Sequence, residues 1–499
     1  MGCLSCSENI EPCHKSKTIV IAIVYVSLLI DSMLLTAVVP VLPEYFSQMH
    51  LNFTTGKTET ILTGSQTHQA IQCSLSASRS HFFGPTYGSL IYEYVGKEYK
   101  YLSAYDNLRN NLTSMNGIKY RNATNKVILS VTKNHLPEEK YLAKEPIYIG
   151  ILFASKPIVQ TVTNLAVGPI TDRIGFDVPM LVGYLIMTSS ALLFAFGQEY
   201  GVLLLARAIQ GVGSACAATA GMAWLADRYS DNTERGRAIG IALGGLALGV
   251  LTGPTFASII YQLAGKEWVF IILAILSLIL VALQLTTRKM KVFRKPLEES
   301  GTPIYTLLKD PYILVVAISI AVGNSVIGIV EAGQPIWMIK TMCPTKWELG
   351  VAFLPISISY LITINLVAQF GHKVARWIFC LAGFYCCTIG AIAYPFVRIV
   401  PEIIGPGIVL GTGVGFVDSL LPVMAFLVDT RHKPVYGSVY AIADISFCMA
   451  FILGPLISGG VITLGGFKWL MWGMAIVLFA YAPVVCLLRK VLFKDEETM

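Results

Sequence analysis

Charge is scarce in this chain. Of its 499 residues only 13% are Asp, Glu, Lys or Arg, while 55% are hydrophobic. With a mean hydropathy of +0.64, that scarcity excludes an ordinary water-soluble domain and predicts an all-α polytopic membrane protein set in a lipid bilayer. The net charge of +7 is not a nucleic-acid signature, because the basic residues fall mostly in short loops, where they set topology. The eleven cysteines contain no C-x-x-C pair and no metal-ligand spacing, so no metal site is expected. Cys216, Cys380, Cys386, Cys387, Cys448 and Cys486 fall in apolar runs and read as small packing residues. A nucleophile–base pattern and a phosphate loop are also missing, so neither an enzyme nor a cofactor is expected. No cleavable signal peptide is evident in the polar start MGCLSCSENIEPCHKSK. Lipidation is not expected either, since Cys6 stands where the myristoylation pattern wants Ser or Thr.

What the chain does have is apolar runs. About twelve can cross a bilayer, which takes ~20 residues: 18–46, 147–170, 178–197, 200–226, 237–262, 268–286, 312–340, 348–370, 377–397, 402–428, 435–463 and 467–488. One set of loops holds Lys15, Lys17, Arg173, Arg228, Arg235, Arg237, Arg288 to Lys295, Lys373, Arg376, Arg431, Lys433, Arg489 and Lys490. The positive-inside rule then places both termini, 1–17 and 489–499, in the cytoplasm. The first loop on the opposite face, about 47–146, is long and polar and carries sequons at Asn52, Asn111 and Asn122. Cys73 and Cys343 fall on that same face, where an oxidising compartment would allow a disulfide between them. A basic linker, 287–310, separates six runs (18–286) from six more (311–488). Gly253-Pro254 in the fifth run is echoed by Gly454-Pro455 in the eleventh. Two repeats around a midplane site describe a secondary transporter.

Six charges lie inside these runs away from their ends: Asp31, Lys156, Arg207, Glu331, Asp418 and Asp444. A carboxylate at such depth costs roughly 2.5–3.5 kcal/mol on insertion scales, so intramembrane acids face a bundle interior and mark ion pathways. Four acids against two bases leave a surplus of negative charge that can hold a cation or protons, in competition. No histidine lies mid-run, which excludes an imidazole relay. Lys156 and Arg207 read equally well as structural ion-pair ties.

Three stretches resemble the major facilitator superfamily: GPITDRIG at 168–175, ARAIQG at 206–211 and GGLALGVLTGP at 244–254. The first is similar to that family's loop motif through Gly168, Asp172, Arg173 and Gly175. The third is similar to the glycine–proline motif of its proton-driven antiporters through Gly253 and Pro254. LLIDSMLLTAVVPVLP (28–43), LFASKPIVQ (152–160), LLKDPYIL (307–314), GVAFLPISISYLI (350–362) and YGSVYAIADISFCM (436–449) narrow the resemblance to the vesicular amine transporters. Within that group Ala217 and Ala218 stand where acetylcholine carriers place a carboxylate, and His432 is a feature of the monoamine carriers.

The resemblance implies a major facilitator fold of about twelve helices in two six-helix halves, acting as a monomer. It implies a proton-coupled antiporter that loads cytoplasmic monoamines into acidic secretory or synaptic vesicles. The alternative is an acetylcholine or broad cationic-drug antiporter of the same fold. Asp31 is the expected ammonium partner, with Glu331 the second acid of the substrate site. Asp418 and Asp444 are expected to carry protons, Lys156 to pair with Asp444, and Arg207 with Asp418. Phe153, Phe353 and Tyr360 are expected to cage the amine. Asn324 reads either as a hydrogen-bond donor to the substrate or as an interhelical tie. The Asp172–Arg173 motif is expected to latch one conformation at the cytoplasmic rim. Two residues depart from the family: Ser32 for Asn beside Asp31, and Phe451 for Tyr. The family's loop cysteine also lies closer to the second run than Cys73 does.

Overall fold

The computed structural model describes residues 10–39, 41, 145–289, 303–342, 344, 346–371, 374–432, 435–464 and 466–489. The stretch 51–146 forms a contact unit of its own, and the fold is that of the remainder. The sequons at Asn52, Asn111 and Asn122 and the cysteines Cys73 and Cys343 lie outside the described residues.

Among the described residues six long helices come first: α1 (Ile10–Thr36), α2 (Glu145–Ile174), α3 (Asp177–Phe196), α4 (Tyr200–Arg228), α5 (Asn232–Ala264) and α6 (Lys266–Lys289). After the linker follow α7 (Pro311–Thr341), α8 (Leu354–Phe370) and α9 (Arg376–Ala393). The last are α10 (Ile404–Asp418), α11 (Leu421–Arg431), α12 (Tyr436–Leu464) and α13 (Gly466–Tyr481). No strand occurs among the described residues.

Among the described residues, eleven stretches are long and apolar enough to span. The helix missing from the expected twelve is α2, whose 30 residues rise about 45 Å at 1.5 Å each. Its hydropathy is diluted by Lys156, Gln160 and Asn164, which are buried at 3%, 6% and 0% exposure. That polarity faces inward. The outer faces carry Leu165, Phe196, Ile279 and Ile476, at least half exposed, as a lipid-covered surface requires.

The tenth run is a single span, 400–431, but not a single helix. Pro422 has no N–H to give the Asp418 carbonyl four residues back, so α10 stops at Asp418 and α11 starts at Leu421. Aspartates cap two other starts. Asp231 accepts from the Glu234 amide at 2.8 Å before α5, and Asp310 from the Tyr312 amide at 3.0 Å before α7.

The longest packing seams join α1 to α5 and α7 to α12, the same pairing one repeat later. On α5, Gly245, Gly249 and Gly253 lie one turn apart. A methyl group at any of them would overlap the Tyr25 carbonyl, the Leu29 carbonyl or the Thr36 hydroxyl of α1, so only glycine permits this approach. Gly265 (φ 88°) follows the end of α5 and Gly466 (φ 80°) opens α13, each the same distance beyond a Gly–Pro pair. Both sit in the left-handed region that favours glycine.

Candidate functional site

The helices surround a cavity of about 170 Å³. Its polar lining comes from separate helices: Asp31 of α1, Lys156 and Gln160 of α2, Asn324 and Glu331 of α7, Tyr360 of α8 and Asp444 of α12. Ser32, Phe153, Tyr440, Phe447 and Phe451 also line it, so both departures from the family pattern fall on the cavity wall. Phe353 does not line it; it heads α8 and packs on the core. Arg207 and Asp418 stand behind the wall, at 0% and 1% exposure.

The ion pairs differ from those the sequence predicts. Lys156 Nζ lies 3.3 and 3.5 Å from the two carboxylate oxygens of Asp31, and the Ser214 hydroxyl donates to the same carboxylate. The expected Lys156–Asp444 pair is therefore replaced by Lys156–Asp31. Asp444 instead accepts from two amides, Gln160 Nε2 at 2.8 Å and Asn164 Nδ2 at 2.5 Å. Lys156, Gln160 and Asn164 recur every fourth residue, so one helix face serves both acids.

Asp418 does not pair with Arg207 either. Its two oxygens accept from Asn324 Nδ2 and the Tyr360 hydroxyl, each at 2.8 Å. Arg207 gives its guanidinium to Gln210 Oε1 at 3.0 Å and the Leu35 carbonyl at 3.1 Å. Its charge lies 5.5 Å from the Phe153 ring and 5.8 Å from the Phe194 ring, contacts that contribute ~0.5–2 kcal/mol each. Phe153 thus separates the cavity from a buried cation. Asn324 also donates to the Ile320 carbonyl at 3.0 Å. Both of its amide hydrogens are then used: of the two readings the sequence left open, Asn324 takes that of an interhelical tie, and a ligand meets its carbonyl oxygen.

The predicted cytoplasmic end is tied across the bundle. Asp172 accepts from the Gly437 amide (2.7 Å), the Ser438 amide (2.8 Å) and the Ser438 hydroxyl (2.6 Å). It thereby caps the positive start of α12, while Arg173 is exposed. The loop motif's latch is Asp172 with α12, not Asp172 with Arg173. Gly168 lets the helices meet, since a methyl there would press on Ala441, and Gly175 (φ 88°) turns the chain out of α2. Beside it, Arg235 at 2% exposure bonds Asp429 at 2.5 Å and the Tyr436 hydroxyl at 3.3 Å. Asp310 is held by Arg431 (2.6 Å), His432 (3.0 Å) and the Tyr312 amide. Burial alone would raise its pKa. The bonds from Arg431, the Tyr312 amide and His432 outweigh that and hold the carboxyl below its usual range.

This arrangement has known counterparts. Residues 127–433 match the Major Facilitator Superfamily. The chain is 41% identical over 484 residues to the synaptic vesicular amine transporter of Mus musculus, covering 97% of this chain and 90% of that one. It belongs to the vesicular amine transporter family of the Major Facilitator Superfamily. The chromaffin granule amine transporter of Rattus norvegicus is 42% identical over 487 residues, covering 97% of this chain and 90% of that one. The vesicular acetylcholine transporter of Rattus norvegicus is 35% identical over 489 residues, covering 96% and 84%. The human organic anion transporter MFSD10 shares the fold, with a TM-score of 0.61 at 15% identity over 94% of this chain and 99% of that one. These relatives are transporters, not enzymes, and the fold is the expected major facilitator fold. Within this vesicular amine transporter homologue, four residues escaped the sequence reading: Gln160, which lines the cavity, and Asn164, Ser214 and Thr219, which stand behind its wall and bond its acids or their partners. Gln160 and Asn164 carried a signal, their spacing from Lys156. Ser214 and Thr219 carried none.

Proposed function

We propose that the protein is a proton-coupled antiporter that loads cytoplasmic monoamines, of the serotonin, dopamine, noradrenaline and histamine class, into acidic secretory or synaptic vesicles. The observation that carries this reading is the charge balance of the cavity. Asp31, Glu331 and Asp444 line it against one lysine, Lys156. A small cation and protons compete for such a surplus, and that competition is the elementary form of exchange. Asp31 is the ammonium partner, reached when the amine displaces Lys156 from it. Asp444 and Asp418, each held by neutral donors, are the proton carriers. Phe153 and Phe447 offer ring faces to the amine. The proton gradient supplies the drive without a cofactor, and the chain works as a monomer with both termini in the cytoplasm.

The test is uptake of labelled serotonin, dopamine and acetylcholine into acid-loaded proteoliposomes. Monoamine uptake that collapses with the gradient and is lost in Asp31→Asn supports the reading. Preference for acetylcholine would replace it with the acetylcholine alternative, and uptake indifferent to the gradient would refute proton coupling.

A further inference from the structure

Thr219 of α4 donates its hydroxyl to Asn164 Oδ1 at 2.8 Å. Thr219 and Asn164 are 1% and 0% exposed. The amide of Asn164 in turn donates to Asp444 Oδ2. Three residues on three helices thus form a chain that runs from a hydroxyl, through an amide, to a carboxylate. Around it α4 is lined with small residues, Ala217, Ala218 and Ala220, so packing alone would be served by another alanine or a valine.

We propose that Thr219 is a positioning residue for the proton step: it fixes the Asn164 amide so that Asp444 is met by a donor. An amide has two faces, one donating and one accepting, and they are interchanged by a half-turn of its side chain. With the Thr219 hydroxyl on its oxygen, the Asn164 amide points N–H at Asp444, which suits the ionised carboxylate. The same bond polarises the amide and strengthens its donation, because hydrogen bonds in series reinforce one another. Remove the hydroxyl and the carbonyl oxygen of Asn164 is left buried without a donor. The ionised form of Asp444 then loses support, and the proton is held more firmly.

Other charges around Asp444 are accounted for. Asp31 from α1, Lys156 from α2 and Glu331 from α7 share its cavity, as do Tyr440 and Cys448 of α12 itself. Arg207 of α4 stands behind Phe153. The charged groups of α11 and α13 are engaged elsewhere: Asp429 with Arg235, Arg431 with Asp310, and Lys468 over the Trp472 ring. None of them touches the Thr219–Asn164 bond, so the effect of Thr219 is separable from theirs.

This inference rests on the antiport reading, and two measurements keep the two apart. In the first, monoamine uptake into vesicles is followed against luminal pH for the parent, Thr219→Val, Thr219→Ala and Thr219→Ser. The expected result is a half-activation pH raised by roughly half a unit in Thr219→Val and Thr219→Ala, with Thr219→Ser restoring the parent profile. A purely structural role would lower the maximal rate and leave the midpoint where it was. In the second, the infrared carbonyl band of protonated carboxylic acid is titrated on purified protein in lipid, with Asp444→Asn assigning the band. The Asp444 band should persist to higher pH in Thr219→Val, whether or not any amine is carried. An unmoved midpoint and an unmoved band in the valine and alanine variants overturn the proposal, as does a serine variant that behaves like valine. A moved band without proton-driven uptake in the parent leaves the positioning role standing and removes the antiport reading instead.

Discussion

Replacing Lys156 by alanine tests the site most directly. Its ammonium lies 3.3 Å from Asp31, and the two side chains are 4% and 13% exposed. At an effective dielectric of about 20, two unit charges at that distance attract by roughly 5 kcal/mol. Removing one partner of a buried pair typically costs about 3–5 kcal/mol, because a charge is left uncompensated. Lys156→Ala should therefore cost about 3–5 kcal/mol. Adding Asp31→Asn should recover most of the stability without recovering uptake, whereas adding Asp444→Asn should recover little. The assay is thermal unfolding of purified protein, followed by size-exclusion chromatography across a pH series, with uptake measured in parallel. If Asp444→Asn rescues Lys156→Ala better than Asp31→Asn does, the pairing seen in this structure is not the one that stabilises the fold.

Two further outcomes follow from the packing and the capping. Gly249→Ala puts a methyl against the Leu29 carbonyl and Ser32; an overpacked seam costs about 1–3 kcal/mol, so lower thermal stability is expected, and unchanged unfolding would mean that the α1–α5 seam is looser than described. Asp310 has its pKa lowered in the folded state, so the support it gives is fully present above the unfolded value near 3.9 and is lost only as the pH falls through the lower folded value; Asp310→Asn should therefore be less stable than the parent from pH 5 to 8 in unfolding scans.

Much of this arrangement was legible in the sequence. The runs, the inward acids and the loop motif follow from hydropathy and from the cost of charge in hydrocarbon, and the structure gathers Asp31, Glu331 and Asp444 around one cavity. Partners were harder to read. A sequence shows that Lys156 is deep, but not that α2 places it within reach of Asp31 while Gln160 and Asn164 take Asp444. Those amides are neutral, so in a hydropathy reading they only dilute α2, when in fact they are its working face. The direction of Asn324 was hidden for a related reason: one of its donors is claimed by Asp418 from a distant helix and the other by the Ile320 carbonyl one turn back. The break after Asp418 was readable from Pro422, yet a hydropathy window passes over it because the run stays apolar on both sides.

The glycine seam between α1 and α5 has a mechanical meaning. Backbones that touch through three successive turns cannot slide without collision, so Asp31 travels with α5 as cargo on a rigid rail. Glu331 rides likewise on α7, clasped to α12, which also bears Asp444. The span from Asp31 to Glu331 is thus a gauge of how the two rails stand, and any molecule that bridges both acids reports on, and sets, their separation.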